Sequence, residues 1–404
     1  MEVKSRYKQT DVGSIPEEWC VLPFDDVLQR KNAKAHQIPA SEYQATGSIP
    51  VVDQGQETIV GYSENIGRRF TSPQDGVIVF GDHTCIVKFV DFDFLVGADG
   101  TQILIAKNNN LARFQAYELE HRGVTSTGYN RHFKFLRDRC FISPPLPEQR
   151  VVAAALSDMD ALLNGLARLI AKKHDLKEAA MQQLLTGQTR LPGFHEAWKA
   201  RRLGEIGSTY GGLTGKSKAD FGAGGGRYVT FLNVMTNVVI DCRLFEQVRV
   251  SPSESQNRVI KGDLLFNGSS ETPEEVAMCS FMAEDVPDLY LNSFCFGFRL
   301  QNEQGTDGLF LAYYIRAAPG RELMKSLAQG STRYNLSKGA LLEAIARLPH
   351  KDEQTAIASV LSDMDAELAA LKARRDKTCE LKQAMMQELL TGRIRLVPME
   401  TADA

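Results

Sequence analysis

Apolar residues recur along two stretches of the chain with the same beat. From Val152 they fall at Leu156, Met159, Leu163, Leu166 and Ile170, in alternating steps of four and three. From Ile357 they fall at Leu361, Met364, Leu368 and Leu371. Such steps hold one stripe on a single face of an α-helix, and a seven-residue repeat of the stripe is the seam of a coiled coil. The spacing predicts a helix over 147–186, about 60 Å long at 1.5 Å per residue. Pro147 suits a first helical turn, Pro144 and Pro145 keep the preceding chain extended, and Gly187 and Gly392 stand where a helix ends in a left-handed residue. Beyond Ile170 the stripe meets Lys173 and Lys177 and resumes at Leu176, Ala180 and Leu184, so the pattern predicts a stutter there.

The two stretches are copies. The segment from Glu148 to Leu191 aligns without a gap with that from Glu353 to Leu396, offset by 205 residues, and roughly half of the positions are identical. Leu-Ser-Asp-Met-Asp stands at 156–160 and 361–365, and Leu-Leu-Thr-Gly at 184–187 and 389–392. The same offset relates Ser126-Thr127-Gly128-Tyr129-Asn130 to Ser331-Thr332-Arg333-Tyr334-Asn335. The chain therefore holds two tandem copies of one unit of about 200 residues. Either helix alone could pack on its own domain. Two matching seams in one chain can instead bury each other, which predicts an intramolecular antiparallel coiled coil with Asp158, Asp160, Lys172 and Lys177 on polar faces.

The segments ahead of the helices are less alike, and both read as mixed α/β. Strand patterns rich in β-branched and aromatic residues cover 76–80, 85–90 and 101–105 in the first copy, and 227–232, 263–266 and 294–299 in the second. Short helices are expected at 111–120 and 309–317. Trp19 and Trp198 are placed equivalently, as are Gly76 and Gly262. The expected organisation is a mixed α/β (α+β) domain at 1–145, a long helix at 146–191, a second similar domain at 192–347, and a second helix with the tail at 348–404. One scaffold with divergent loops suggests two modules that bind different things.

Composition narrows the class without naming a function. With 43% hydrophobic and 24% charged residues the chain can build sizeable cores. No apolar run reaches the roughly 18–20 residues of a membrane helix, and the N-terminus is too polar for a signal peptide. The net charge of −3 gives no global sign of nucleic-acid binding. Seven cysteines without a Cys-x-x-Cys pair argue against a disulfide framework and a zinc site, and fit a reducing cytoplasm. The histidines are scattered likewise, and no metal is expected.

Catalytic motifs do not emerge. Gly212-Leu213-Thr214-Gly215-Lys216-Ser217 invites a phosphate-loop reading, but that motif needs a glycine where Tyr210 stands. Gly224-Gly225-Gly226 lacks dinucleotide spacing. Nucleophile-elbow, zinc-protease, kinase, amino-methyltransferase and nuclease signatures are all absent from the sequence.

Basic residues are nevertheless concentrated locally. His121, Arg122, Arg131, His132, Lys134, Arg137 and Arg139 lie within 19 residues, with Tyr129 and Asn130 among them. The second copy places Lys216, Lys218 and Arg227 in a glycine-rich stretch, followed later by Arg333. Lysine and arginine can hold phosphates while Asn, Gln or Arg read base edges. The candidate DNA-contacting residues are therefore Gln54, Gln56, Arg68, Arg69, Thr127, Tyr129, Asn130, Arg131 and His132 in the first domain. In the second they are Thr214, Lys216, Lys218, Arg227, Thr332, Arg333 and Tyr334. A solvated charged surface, or turns that merely position the long helices, would use the same residue types.

The run Pro145-Leu146-Pro147-Glu148-Gln149, the Leu-Ser-Asp-Met-Asp helix, the Leu-Leu-Thr-Gly-x-x-Arg-Leu end and their repetition resemble the specificity (S) subunit of type I restriction-modification enzymes. Gly211 to Lys216 adds to the likeness, which covers almost the whole chain. The resemblance implies a non-catalytic DNA-recognition subunit in which each domain reads half of a bipartite target and the helices set the spacer. It implies double-stranded DNA, two modification (methyltransferase) subunits and restriction (motor-nuclease) subunits as partners. S-adenosylmethionine, ATP and magnesium would belong to those partners, with no cofactor on this chain. An enzyme with diverged methyltransferase or nuclease motifs, or a coiled-coil adaptor for proteins, remains the alternative.

Overall fold

The computed structural model describes residues 7–97, 99–128, 130–301 and 305–396. The chain divides into two compact units, Met1–Arg168 with Ala373–Ala404, and Leu169–Lys372. Each unit therefore takes a share of both long helices, which run over Leu146–Leu184 and Lys351–Leu389. The end of the second long helix, with Met386, Leu389 and Leu390, packs in the first unit.

The two units repeat one topology. The first has a four-stranded antiparallel sheet in the order Leu28–Lys31, Thr101–Ala106, Val77–Gly81, Val87–Val90. Beside it lies a three-stranded sheet in which Ile49–Val52 pairs antiparallel with Gly61–Ser63 and parallel with Leu95–Val96. The second unit has the same four-stranded order in Gly207–Gly211, Cys295–Leu300, Leu264–Asn267, Cys279–Phe281. Its three-stranded sheet pairs Phe221–Val229 antiparallel with Phe245–Val248 and parallel with Leu289–Leu291. Ala112–His121 packs against the first large sheet and Gly308–Arg316 occupies the matching place in the second. The segment 227–232, read as one strand, leaves the sheet after Val229 and becomes the helix Phe231–Thr236, which Thr230 caps by accepting the Asn233 N–H.

The repeated Pro-x-x-x-Glu-Gln sequence, 144–149 and 349–354, joins each long helix to its domain. Gln149 donates to the Pro144 carbonyl at 2.7 Å and accepts the Leu111 N–H at 2.8 Å, just ahead of helix Ala112–His121. Gln354 repeats this with the Pro349 carbonyl and the Asp307 N–H, both at 2.9 Å. At the far ends Gly187 and Gly392 have φ of +72° and +70°, the left-handed stop that glycine adopts without steric penalty.

In both units the start of one long helix shares a core with the end of the other, as antiparallel packing requires. Val152, Ala153 and Leu156 meet Met386, Leu389 and Leu390 in the first unit. Ile357, Ala358 and Leu361 join Leu184 and Leu185 in the second. Leu166 and Leu368 are buried, and Met159, Leu163, Met364 and Leu371 are partly buried, so every expected seam position faces inward.

The expected stutter does not occur. Leu176 is 48% exposed, and the step-of-four-and-three pattern continues through Lys173 and Lys177. Lys177 bonds Asp365 at 2.5 Å, and Lys173 pairs with Glu367 at 2.7 Å. The second helix does the same: Leu381 is 51% exposed while Lys382 is buried between Asp160, at 2.9 Å, and Glu120, at 2.8 Å. Long lysine stems can line a seam while their ammonium groups find carboxylates, so the polar interruption moves no stripe.

Candidate nucleic-acid interface

In the first unit a loop ridge forms where strand Val77–Gly81 leaves its sheet. The Asp82 carbonyl accepts the His132 N–H at 2.8 Å, hanging the 125–132 loop from this point. Gln54 braces the ridge from beside it, donating to the Asp99 carbonyl at 2.7 Å and accepting the His83 N–H at 3.2 Å. The His83 ring lies 3.2 Å from the Asn130 carbonyl, and Asn130 in turn donates to Thr127. Arg131 stands exposed, 3.6 Å from Asp99. The structure thus brings Gln54, Thr127, Asn130 and Arg131 together, with Gln56 exposed on the neighbouring loop.

That neighbouring loop is fixed from below by Lys88. Its ammonium donates to the carbonyls of Asp53 and Glu57, and burial holds its pKa below the ordinary lysine range against the pull of Asp53.

His132 does not face solvent. It is 0% exposed; Nε2 accepts the Thr127 N–H at 2.9 Å, which leaves Nδ1 to donate to the Asp82 carbonyl at 3.0 Å. It shapes the loop and offers DNA nothing, correcting its reading as a contact. Arg68 and Arg69 lie elsewhere in the unit. Arg68 donates to the Gln37 carbonyl at 2.6 Å, and Arg69 is 3.5 Å from Asp93. Tyr129 falls outside the described residues.

The second unit builds its ridge at the corresponding point. The Gly268 carbonyl accepts the Leu336 N–H at 3.0 Å, as Asp82 accepts that of His132, so the Ser-Thr-x-Tyr-Asn loops of both units hang from equivalent backbone positions. Tyr334 is half-buried and pairs with Ser270, while Thr332 and Arg333 are exposed. Alongside, the turn at 292–295 carries Phe294 outward, 61% exposed, with the Arg333 guanidinium 6.0 Å from its ring centre.

The glycine-rich stretch borders this ridge. A Cβ at Gly212 would sit 2.1 Å from the Asn292 carbonyl, so only glycine permits the approach. Gln256 clamps the loop by accepting the Thr214 N–H at 3.1 Å and donating to its carbonyl at 2.8 Å. Below, Tyr210 donates at 2.6 Å to the buried Asp263, which also binds Arg299. Lys218 and Arg227 are exposed.

Lys216 is not available as a phosphate contact. Its side chain is 5% exposed, bonded to the Arg249 carbonyl at 2.6 Å and to Glu254. Hydrogen bonds from Lys216, the Ser251 amide and Gln256 hold the Glu254 carboxyl down at about 2. Lys216 anchors the loop, a correction to its expected role.

Phe294, Gln256, Gly268 and Asp99 were not anticipated as parts of these ridges. The alternation Phe294-Cys295-Phe296-Gly297-Phe298 reads as one strand, which hides that its first residue precedes the sheet. Among the described residues no helix is long and apolar enough to cross a membrane.

One scaffold is duplicated and carries different loops in its two copies, and known proteins share this plan. Residues 195–381 match the family model for the type I restriction modification DNA specificity domain. The specificity subunit of the EcoR124I/EcoR124II type I restriction enzyme of Escherichia coli is 26% identical over 231 residues, which are 53% of this chain and 54% of that protein. That match thus spans about half of the relative's length. The putative MjaX specificity subunit of Methanocaldococcus jannaschii is 23% identical, with 97% of each chain covered. The S subunit of a type I restriction-modification system from M. genitalium shares the fold, with a TM-score of 0.62 at 16% identity over 95% of this chain and 98% of that one. A chain from a structure of type I R-M complex assembly and conformational transition gives 0.53 at 17% identity, covering 94% and 99%. The chain is thus similar in sequence and in fold to type I restriction-modification specificity subunits.

Proposed function

We propose that this chain is the non-catalytic, DNA-reading subunit of a cytoplasmic type I restriction-modification complex. Each ridge reads one half of a bipartite, asymmetric target, and the paired helices set the spacer between the halves. Methyltransferase subunits holding S-adenosylmethionine dock along the helices, and motor-nuclease subunits using ATP and magnesium join them. The observation that carries this reading is the pair of ridges hung from equivalent backbone positions with different chemistry. The first presents Gln54, Gln56, Thr127, Asn130 and Arg131; the second presents Thr214, Lys218, Arg227, Thr332, Arg333 and Phe294. Arginine and amide side chains on such loops suit both phosphate contact and base-edge readout.

Genome-wide methylation sequencing of a host with and without this chain tests the reading. One bipartite motif should vanish on deletion, and the purified chain alone should neither methylate nor cut DNA. An unchanged methylation pattern, or activity of the isolated chain, would overturn it. Salt-dependent gel shifts with and without the methyltransferase partner separate DNA reading from a purely protein-binding adaptor.

A further inference from the structure

We propose that Arg333, seated over the Phe294 ring, is the residue through which the second module reads guanine; the inference rests on the DNA-reading function above and names the base class for one ridge.

Both residues are built onto one short segment. Gly268 donates its N–H to the Phe294 carbonyl at 2.8 Å and accepts the Leu336 N–H at 3.0 Å, so the turn and the loop share a single anchor. The turn is fixed again by the Asn292 side chain, which accepts the Phe294 N–H at 2.9 Å. The loop is closed by reciprocal backbone bonds between Gln329 and Asn335, at 2.9 and 2.8 Å, and the Asn335 amide reaches the Arg333 carbonyl at 3.2 Å. Backbones held this firmly present their side chains with little ordering left to do on binding.

The side chains are matched to a base edge. Arg333 is exposed and, among the described residues, forms no ion pair, so its planar fork is available. Stacking on an aromatic face orients a guanidinium while leaving its N–H edge outward. That edge fits the two acceptors, O6 and N7, which guanine alone presents side by side in the major groove. The Phe294 ring beneath offers apolar contact to a neighbouring base. The first module differs at the same point: Gly100, whose carbonyl accepts the Asp82 N–H at 2.8 Å, occupies the place of Phe294, and Gly128 stands where the repeat places Arg333. The guanine reader thus belongs to the second module alone.

The test uses the chain assembled with its methyltransferase partner. Methylation sequencing first gives the wild-type motif; competition gel shifts with duplexes changed one base at a time then measure preference at each position. Arg333→Ala should lower the preference for guanine at one position of one half-site by about five- to one-hundred-fold and leave the other half-site unchanged. Arg333→Lys should keep overall affinity and its salt dependence yet lose the same preference, because a point charge cannot make the fork. Phe294→Ala should weaken preference at that position and its neighbour. An intact guanine preference in Arg333→Ala, full specificity in Arg333→Lys, or a half-site without guanine would overturn the assignment while leaving the DNA-reading function standing. A wild-type complex with no sequence preference would overturn both.

Discussion

Arg395 closes on Glu148 across 247 residues of sequence: its Nε and a terminal nitrogen donate to the two carboxylate oxygens at 2.8 and 2.7 Å. Trp19 adds an indole N–H to the same carboxylate at 2.9 Å. Arg190 and Glu353 form the matching pair in the second unit, with both bonds at 2.5 Å. The first module is therefore closed by Arg395, which follows the second long helix.

Arg395→Ala should destabilise the first unit by about 3 kcal/mol, because it strands a carboxylate that is almost wholly buried. Arg393→Ala, which removes an exposed cation two residues away, should stay within about 0.5 kcal/mol. Urea denaturation followed by buried Trp19 fluorescence checks this. Equal midpoints for the two variants would mean that the closing pair adds no stability.

The seam gives a second prediction that inverts the hydrophobic pattern. Lys382→Ala removes the partner of Asp160 and Glu120 and uncovers Tyr117, whose ring lies 5.3 Å from the ammonium. It should destabilise the chain by about 2 kcal/mol, whereas Leu381→Ala on the exposed face should change stability by less than about 0.5 kcal/mol. Thermal melts of the isolated chain compare them directly. A larger loss from the leucine would restore the stutter.

These two lysines mark where the sequence was legible and where it stopped. The helices, their ends and the duplication could be read because a seam imposes a period on every turn, and Gly187 and Gly392 signal a stop whatever surrounds them. The stutter was misread because hydropathy records a side chain's polarity and not its partner: Asp365 and Asp160, which make Lys177 and Lys382 acceptable inside, lie far away in sequence. His132 and Lys216 misled for the same reason. Charge suggested contact with DNA, while Asp82 and Glu254, brought near only by the fold, engage them internally. The first ridge was partly visible in the Ser-Thr-x-Tyr-Asn run, but nothing local revealed that Phe294 leaves the sheet.

The Glu254 anchor predicts a pH response in the glycine-rich loop. Its carboxyl is held at about 2 in the fold, below the ordinary glutamate value of 4.5. A depressed carboxylate contributes stability that is present above its unfolded value and fades as pH falls through the folded one. Loop anchoring should therefore be intact at pH 6 and lost between pH 4.5 and about 2. Hydrogen exchange at residues 212–218 should be faster in Glu254→Gln than in the unaltered chain at pH 6, and the difference should shrink as the pH approaches 2. A difference that persists there would remove the carboxylate from the loop's anchoring.

The spacer hypothesis makes the most direct functional prediction, and the seam dictates how to test it. Four residues inserted between Leu184 and Gly187 would lengthen that helix by about 6 Å, close to two base pairs at about 3.4 Å each. Leu184 and Leu185 are, however, buried in the second unit's core, so an insertion there would also tear packing apart. One whole heptad added to the middle of each helix keeps every seam residue on its face and adds about 10 Å. The non-specific gap in the methylated motif should then grow by about three base pairs with both half-sites unchanged. Methylation sequencing of the lengthened chain, assembled with its partners, reads this out. An unaltered gap in a complex that still methylates both half-sites would show that the helices are not the ruler.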